Sequence, residues 1–359
     1  MGRPVSDSET IDIGAMLRES VSRLFADHVT PALLAAAERG EWPEALWRAA
    51  EEAGLTAALL PEAAGGFGAG FYDALTVLRE VGASGAPIPL AETMLSGWLL
   101  AGAGLAVPAG HLALIAGSDL DLIKTDGTWR LTGVARQVAW GRAAKAGAAL
   151  VDFDGEALVV LLPAPVWRVE PATNIAGEPR DTLHFDCEVA SESVVKAPPG
   201  IGQQQLHAAG AVTRALMISG ALERITAMTA QYANERSQFG KPIGRFQAIQ
   251  QSLAALAGQS CAATAAAELG ALAFADALRL PPIAAAKSRA GEAAGIGASI
   301  AHQIHGAIGF TFEHQLHFLT RRLWSWRDEY GGEAEWNALL GGHVGRIGPE
   351  RLWAEITTL

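Results

Sequence analysis

Two arginines, three glutamines and two phenylalanines crowd the segment from Tyr232 to Gln250, where Arg236, Gln238, Phe239, Arg245, Phe246 and Gln247 stand around a Gly240-Lys241-Pro242 break. A guanidinium meets a diphosphate through parallel donors, which suits Arg236 to that task better than a lysine. Phe239 and Phe246 can pack on a ring system, and the amides of Gln238 and Gln247 each offer an acceptor and two donors. A second group follows at Gln303-Ile304-His305-Gly306-Ala307-Ile308-Gly309-Phe310. Gln303 brings another amide, and Gly306 and Gly309 let a backbone approach a ligand where a side chain would block it. Together these residue types make a grip for a flat, anionic dinucleotide.

Each group also has a plainer reading. Arg236 can cap a helix end and pair with a neighbouring acid, with Gly240 and Pro242 as ordinary C-terminal punctuation. Gly306 to Gly309 alone is a common helix stop. The two groups in this order and context outweigh both. His302 with His305, and His314 with His317, stand three residues apart, a spacing compatible with metal ligation. No acidic second shell accompanies them and His305 falls inside the second group, so no metal is expected.

The elements that must position these residues follow from periodicity. From Ile11 to about Gly110 apolar residues recur at helical spacing, as at Leu46, Ala49, Ala50 and Ala53, with stops at Gly54 and Pro61 and a Gly65-Gly66-Phe67-Gly68 loop. Between Leu112 and about Val195 short runs appear instead, at 112–115, 129–131, 149–153, 158–162 and 182–185, separated by Gly, Asp and Pro. Beyond Ile201 long Ala-rich helical segments return, at about 203–235, 246–278, 283–304 and 314–326, then a C-terminal tail. Helices of that length need a bundle to bury their faces. The expectation is a mainly α chain with a central β domain: an N-terminal helical domain over 1–111, a β-barrel or sandwich over 112–200, and a C-terminal four-helix bundle over 201–359.

With 359 residues, half of them hydrophobic, the chain can bury a sizeable core, and its formal charge of −11 argues against nucleic acid or an anionic membrane as the main partner. Cys187 and Cys261 are the only cysteines, so there is no disulfide framework, and a reducing cytoplasm is the simplest compartment. Met1 to Thr10 lacks the apolar core of a secretory signal. The greasy run from Ser96 to Pro108 is broken by Gly97, Gly102 and Gly104, short of the roughly 18 apolar residues a membrane span needs. It reads as buried helix.

Helix, β, helix in this order resembles the acyl-CoA dehydrogenase family over nearly the whole chain. Arg236-Ser-Gln-Phe-Gly240 is similar to the family's arginine-x-x-phenylalanine-glycine element, with Phe246-Gln247 opening the next helix. Gln303 to Glu313 resembles its glutamine-x-x-glycine-glycine segment, with Ala307 at the second glycine. Ala286-Lys287, and Trp47 through Gly54-Leu55 to Gly65-Gly66, add to the likeness. The resemblance implies FAD as cofactor, bound across a subunit interface by Arg236, Gln238, Phe239, Phe246, Gln247, Gln303, Ile304, His305, Gly306 and Ala307. It further implies an acyl-CoA substrate, an electron-transfer flavoprotein as acceptor, and a homo-oligomer, dimer or tetramer, or a heterotetramer with a related chain.

The chain departs from the family's pattern at the middle domain and at the base. Of the middle-domain signature only Gly117-Ser118-Asp119 survives, and the later tryptophan segment reads Val138-Ala139-Trp140-Gly141-Arg142. Trp140 is either a flavin shield or structural; Trp324, Trp326 and Trp336 either line an acyl pocket or pack a core. Abstraction of an acyl Cα proton calls for a carboxylate of raised pKa in a dry pocket. The stretch where relatives carry it reads Arg327-Asp-Glu-Tyr-Gly-Gly-Glu333, which puts Glu329 forward as the base with Glu333 behind it; the other family position falls near Gly210. Two readings follow: a competent FAD-dependent acyl-CoA dehydrogenase, or a non-catalytic subunit that completes a partner's cofactor site.

Overall fold

The computed structural model describes residues 13–117, 119–125, 127–163 and 166–357; Met1 to Thr10 and Ser118, both read above, lie outside them. Five helices come first: α1 (Ile13–His28), α2 (Pro31–Glu38), α3 (Glu44–Glu52), α4 (Phe71–Ser84) and α5 (Leu90–Gly102). In α3 the helical spacing buries Leu46, Trp47 and Ala50 on one face, while Ala53 is exposed beyond the helix end, where Gly54 turns left-handed at φ 74. Helix α5 is buried almost all round because it is sandwiched between the bundle and the first β sheet. No helix among the described residues is long and apolar enough to cross a membrane.

The middle region holds β1 (Leu112–Ile115), β2 (Leu120–Thr125), β3 (Thr128–Ala139), β4 (Ala146–Phe153), β5 (Glu156–Pro163), β6 (Trp167–Glu170), β7 (Arg180–Ala190) and β8 (Val194–Lys196). They form two sheets, β1-β4-β5-β8 and β2-β3-β7-β6. The sheets pack as an open sandwich rather than a barrel. Alternation along a strand explains the layering. Ala113 and Ile115 of β1 face the second sheet and join Leu131 and Phe185, whereas Leu112 and Leu114 face the helices and join their core. Strand β2 escapes a sequence reading because Asp121 and Lys124 interrupt its short run and four of its six residues are exposed.

Four long helices, α6 (Gln203–Glu235), α7 (Gln247–Ala275), α8 (Leu280–His305) and α9 (Leu316–Asp328), make the C-terminal bundle. A two-residue hairpin, β9 (Ser237–Gln238) with β10 (Lys241–Pro242), separates α6 from α7. The C-terminal tail expected from the sequence is instead two helices, α10 (Glu333–Ile347) and α11 (Pro349–Thr357). Gly341, Gly342 and Gly345 weaken the helical signal of α10, but Trp336, 2% exposed, anchors it in the core. Helix α4 locks onto α6 at a glycine crossing: a Cβ on Gly82 would come within 1.9 Å of the Met217 carbonyl oxygen, and one on Gly220 within 1.9 Å of that of Arg79.

Candidate functional site

Helix α6 ends at Glu235 and α8 at His305, and the two ends meet. The Tyr232 and His305 rings stack at 4.5 Å, and the Tyr232 hydroxyl donates to the His305 carbonyl at 3.3 Å. Two segments about seventy residues apart in sequence thereby share one end of the bundle. The hairpin turns through Phe239 (φ 52) and Gly240 (φ 80), and Ile243 N–H closes it onto the Arg236 carbonyl at 2.8 Å. Phe239 is left 91% exposed, edge-on to Phe246 at 6.2 Å. Lys241 lies over the Phe246 ring at 4.4 Å.

The polar groups here are uncommitted. No carboxylate pairs with Arg236 among the described residues, which removes its reading as a helix-end ion pair. The side-chain amides of Gln238, Gln247 and Gln303 make no hydrogen bond among the described residues either, and all three are exposed. Gly306 (φ 64) and Ala307 are exposed beside Gln303, while Ile304 and His305 are buried beneath them. His305 Nδ1 donates to the Ala301 carbonyl at 2.8 Å, so its buried Nε2 is left as an acceptor with no partner. Unpaired amide and guanidinium donors, exposed rings and an orphaned acceptor fit a dinucleotide.

A cavity of about 560 Å³ opens where all three regions meet, lined among others by Leu114, Gln137, Gln203, His207, Glu329 and Tyr330. Its floor is an ion-pair ladder. Glu92 of α5 bonds Arg214 of α6; Arg214 Nε reaches Glu329 Oε2 at 2.6 Å; Arg180 Nε reaches Glu329 Oε1 at 2.9 Å and its Nη2 reaches Glu178 at 3.1 Å. Asn174 donates to both Glu329 and Glu178, at 3.1 and 3.0 Å. Arg322, completely buried, places its Nε 3.1 Å from Glu178 without the alignment of a hydrogen bond. Three carboxylates thus balance three guanidiniums in a buried row, a condition buried charges require.

Glu329 therefore differs from the base expected at this position. Burial alone would raise its pKa, but Arg180, then Arg214, and hydrogen bonds from Arg180 and Asn174 pull it down to about 2. Its carboxylate is a firmly ionised ion-pair partner. Tyr330, at φ 54, turns its ring against α6 at Gly210, and burial followed by the charge of Glu92 pushes its hydroxyl well above the usual tyrosine range. Glu333 pairs with Arg327 at 3.0 Å. Lys287, 1% exposed, donates to the carbonyls of Arg327 and Gly331, each at 2.6 Å, and so clamps the turn that carries Glu329 and Tyr330. Burial lowers its pKa to about 8, with Glu333 opposing.

The remaining tryptophan candidates differ in their surroundings. Trp140 is 2% exposed and packs edge-on against Trp42 at 5.2 Å, within a cluster that also holds Trp47 and His111. Arg142 grips the buried Asp181 with Nε at 3.0 and 3.1 Å. The Val138 to Arg142 segment is thus a corner of the sandwich. Trp326 and Trp336 lie in the main core, and Trp324 stacks with His302 at 5.8 Å. Among the described residues no three metal-type ligands converge; His302 bonds Thr320, and His305 and His314 pack ring against ring.

Sequence reasoning missed Glu92, Asn174, Glu178, Arg180 and Arg214. A signal existed for two: Glu92 and Arg214 are single charges inside otherwise apolar helical runs. Arg136 and Gln137 were also missed. They reach the cavity because the β3–β7 register slips between Ala135 and Val138, a bulge that re-aims both side chains.

Comparison with known proteins bears on this geometry. Residues 203–336 match the family described as Acyl-CoA dehydrogenase, C-terminal domain, and residues 14–106 match Acyl-CoA dehydrogenase, N-terminal domain. The chain is 32% identical over 318 residues to the acyl-CoA dehydrogenase IpdE2 of Mycobacterium tuberculosis, covering 86% of this chain and 89% of that protein. It is 29% identical to IpdE2 of Mycolicibacterium smegmatis, covering 86% and 91%. The ChsE4-ChsE5 complex from Mycobacterium tuberculosis superposes with a TM-score of 0.81 at 25% identity, covering 95% of this chain and 99% of that one.

Proposed function

Because the chain belongs to the acyl-CoA dehydrogenase family, we propose that it is an FAD-dependent acyl-CoA dehydrogenase, removing hydrogen across the α,β carbon–carbon bond of an acyl-CoA thioester. The observation that carries the reading is the meeting of the Arg236 and Gln303 segments at one bundle end, with their polar groups unpaired. In it, Arg236 holds the pyrophosphate, Phe239 and Phe246 cover a ring, and Gln238, Gln247, Gln303 and His305 serve polar edges. Ile304, Gly306 and Ala307 shape the surface beneath. FAD gripped there would supply the oxidant for hydride leaving Cβ in the cavity of a second subunit, since this chain's own cavity lies at the other end of α6.

A dinucleotide on so open a surface is half solvated, so the reading includes a second subunit closing over it, in a homo-oligomer or a heterotetramer with a related chain. It also takes an electron-transfer flavoprotein as acceptor and, from the free thiols Cys187 and Cys261, a cytoplasmic location. Working domain limits are 1–111, 112–200 and 201–359. A second reading, a non-catalytic subunit completing a partner's site, is favoured by Glu329 being locked between Arg214 and Arg180.

The visible absorption spectrum of the chain purified alone, with flavin released and quantified, tests the choice. Near-stoichiometric FAD, bleached on adding an acyl-CoA, is expected. A colourless chain that acquires flavin only beside a partner chain would replace the first reading with the second.

A further inference from the structure

Proton abstraction needs an acceptor that is unprotonated, unpaired and within reach of the cavity. Among the cavity's carboxylates, Glu92 and Glu329 are bound to Arg214 and Arg180. Asp152 lines the cavity from an exposed position at the end of β4, and Glu335, which also lines it, lies against His207. Tyr330 is buried with its hydroxyl hard to ionise. The Gly210 site on α6 is filled by the Tyr330 ring, which would lie 2.2 Å from any Cβ there. One helical turn earlier on the same face of α6 stands His207, which lines the cavity.

Its ring is held on three sides. Trp336 stacks on it at 5.5 Å, Tyr330 meets it edge-on at 6.1 Å, and Glu335 of α10 places Oε1 3.1 Å from its Nε2, without the alignment of a hydrogen bond. Nδ1 makes no hydrogen bond among the described residues. Burial lowers the imidazole pKa, Glu335 opposes that shift, and Lys287 adds to it, so the ring is neutral near pH 7. A neutral imidazole with a carboxylate beside one nitrogen is favoured as the imidazolium on protonation and can present its other nitrogen as a base.

We propose that His207 is the proton acceptor of this site and Glu335 its positioning residue. The inference rests on the dehydrogenase reading above. In the step, the Cα–H bond breaks and its proton passes to His207 Nδ1. The electron pair left on Cα becomes the Cα–Cβ π bond as hydride leaves Cβ for oxidised flavin, which would be reduced. His207 and Arg236 stand at opposite ends of α6, roughly 43 Å apart, so that flavin is one held at the bundle end of a second subunit and reaching into this cavity. The Glu335 carboxylate, 3.1 Å from Nε2, stabilises the charge of the imidazolium that forms.

Two measurements test this. In the first, imidazole NMR titration of the purified protein, with the signal assigned through His207→Gln, should give a His207 midpoint below 6.5 that falls further in Glu335→Gln. A midpoint above 6.5, or one indifferent to Glu335→Gln, overturns the dyad. In the second, anaerobic flavin bleaching is followed with saturated acyl-CoAs from butyryl- to octanoyl-CoA. His207→Gln should bleach roughly 100- to 1,000-fold more slowly at unchanged FAD content, and the wild-type rate should fall at acid pH around the NMR midpoint. Unchanged bleaching in His207→Gln overturns this assignment alone. A wild-type protein that holds FAD but is bleached by none of the panel overturns the dehydrogenase reading and this assignment with it.

Discussion

Tyr330 packs so closely on Gly210 that a Cβ built at Gly210 would sit 2.2 Å from the tyrosine ring. Of the two places at which the sequence sought a catalytic acid, the one near Gly210 is thus filled by the ring next to the other, Glu329, on the α9–α10 turn. Gly210→Ala should destabilise the protein by about 1–3 kcal/mol through overpacking. Tyr330→Ala in the same chain should restore part of that loss, and urea unfolding of the two single variants and the double variant would show the non-additivity.

Glu329 neutralises two guanidiniums at once. Glu329→Gln should cost about 3–5 kcal/mol, because Arg214 and Arg180 lose a shared buried counter-charge. Chemical denaturation measures it. The same group gives an acid limb: its pKa is depressed from 4.5 to about 2 in the folded chain, so its contribution is complete above 4.5 and is lost as the pH falls through about 2. Glu329→Gln should flatten that part of the stability profile.

His111 is fully buried, with neither ring nitrogen hydrogen-bonded to another side chain, and it stacks on Trp42 at 5.6 Å. Burial lowers its pKa to about 3 from 6.5, opposed by the Ala143 backbone. The unfolded chain therefore binds this proton first, and stability should fall by about 1.4 kcal/mol per pH unit as the pH drops from 6.5 toward 3. His111→Phe should remove that slope, which thermal unfolding between pH 4 and 7 can read.

Arg236 is exposed and unpaired among the described residues, so Arg236→Ala should leave the apoprotein's melting temperature unchanged. FAD affinity should drop by about 1.5–3 kcal/mol, the cost of a charge-assisted contact, or roughly 10- to 100-fold. Isothermal titration of FAD into the apoprotein distinguishes this from a structural defect.

The sequence by itself determined the three-part order of helices, strands and helices, the limits of the long helices such as Gln203–Glu235, and the residues available to hold a dinucleotide. Those properties are written in local periodicity and in short motifs whose members lie within a turn or two of each other. What only the tertiary structure decided is the chemistry of the cavity. Glu329 reads as a free acid until Arg180 from the sandwich and Arg214 from the bundle close on it, 149 and 115 residues away in sequence. His207 reads as an ordinary helical residue until α10 brings Glu335 and Trp336 against it. A side chain's protonation state depends on charges and solvent within a few ångströms, and folding assembles that neighbourhood from segments that no linear pattern connects.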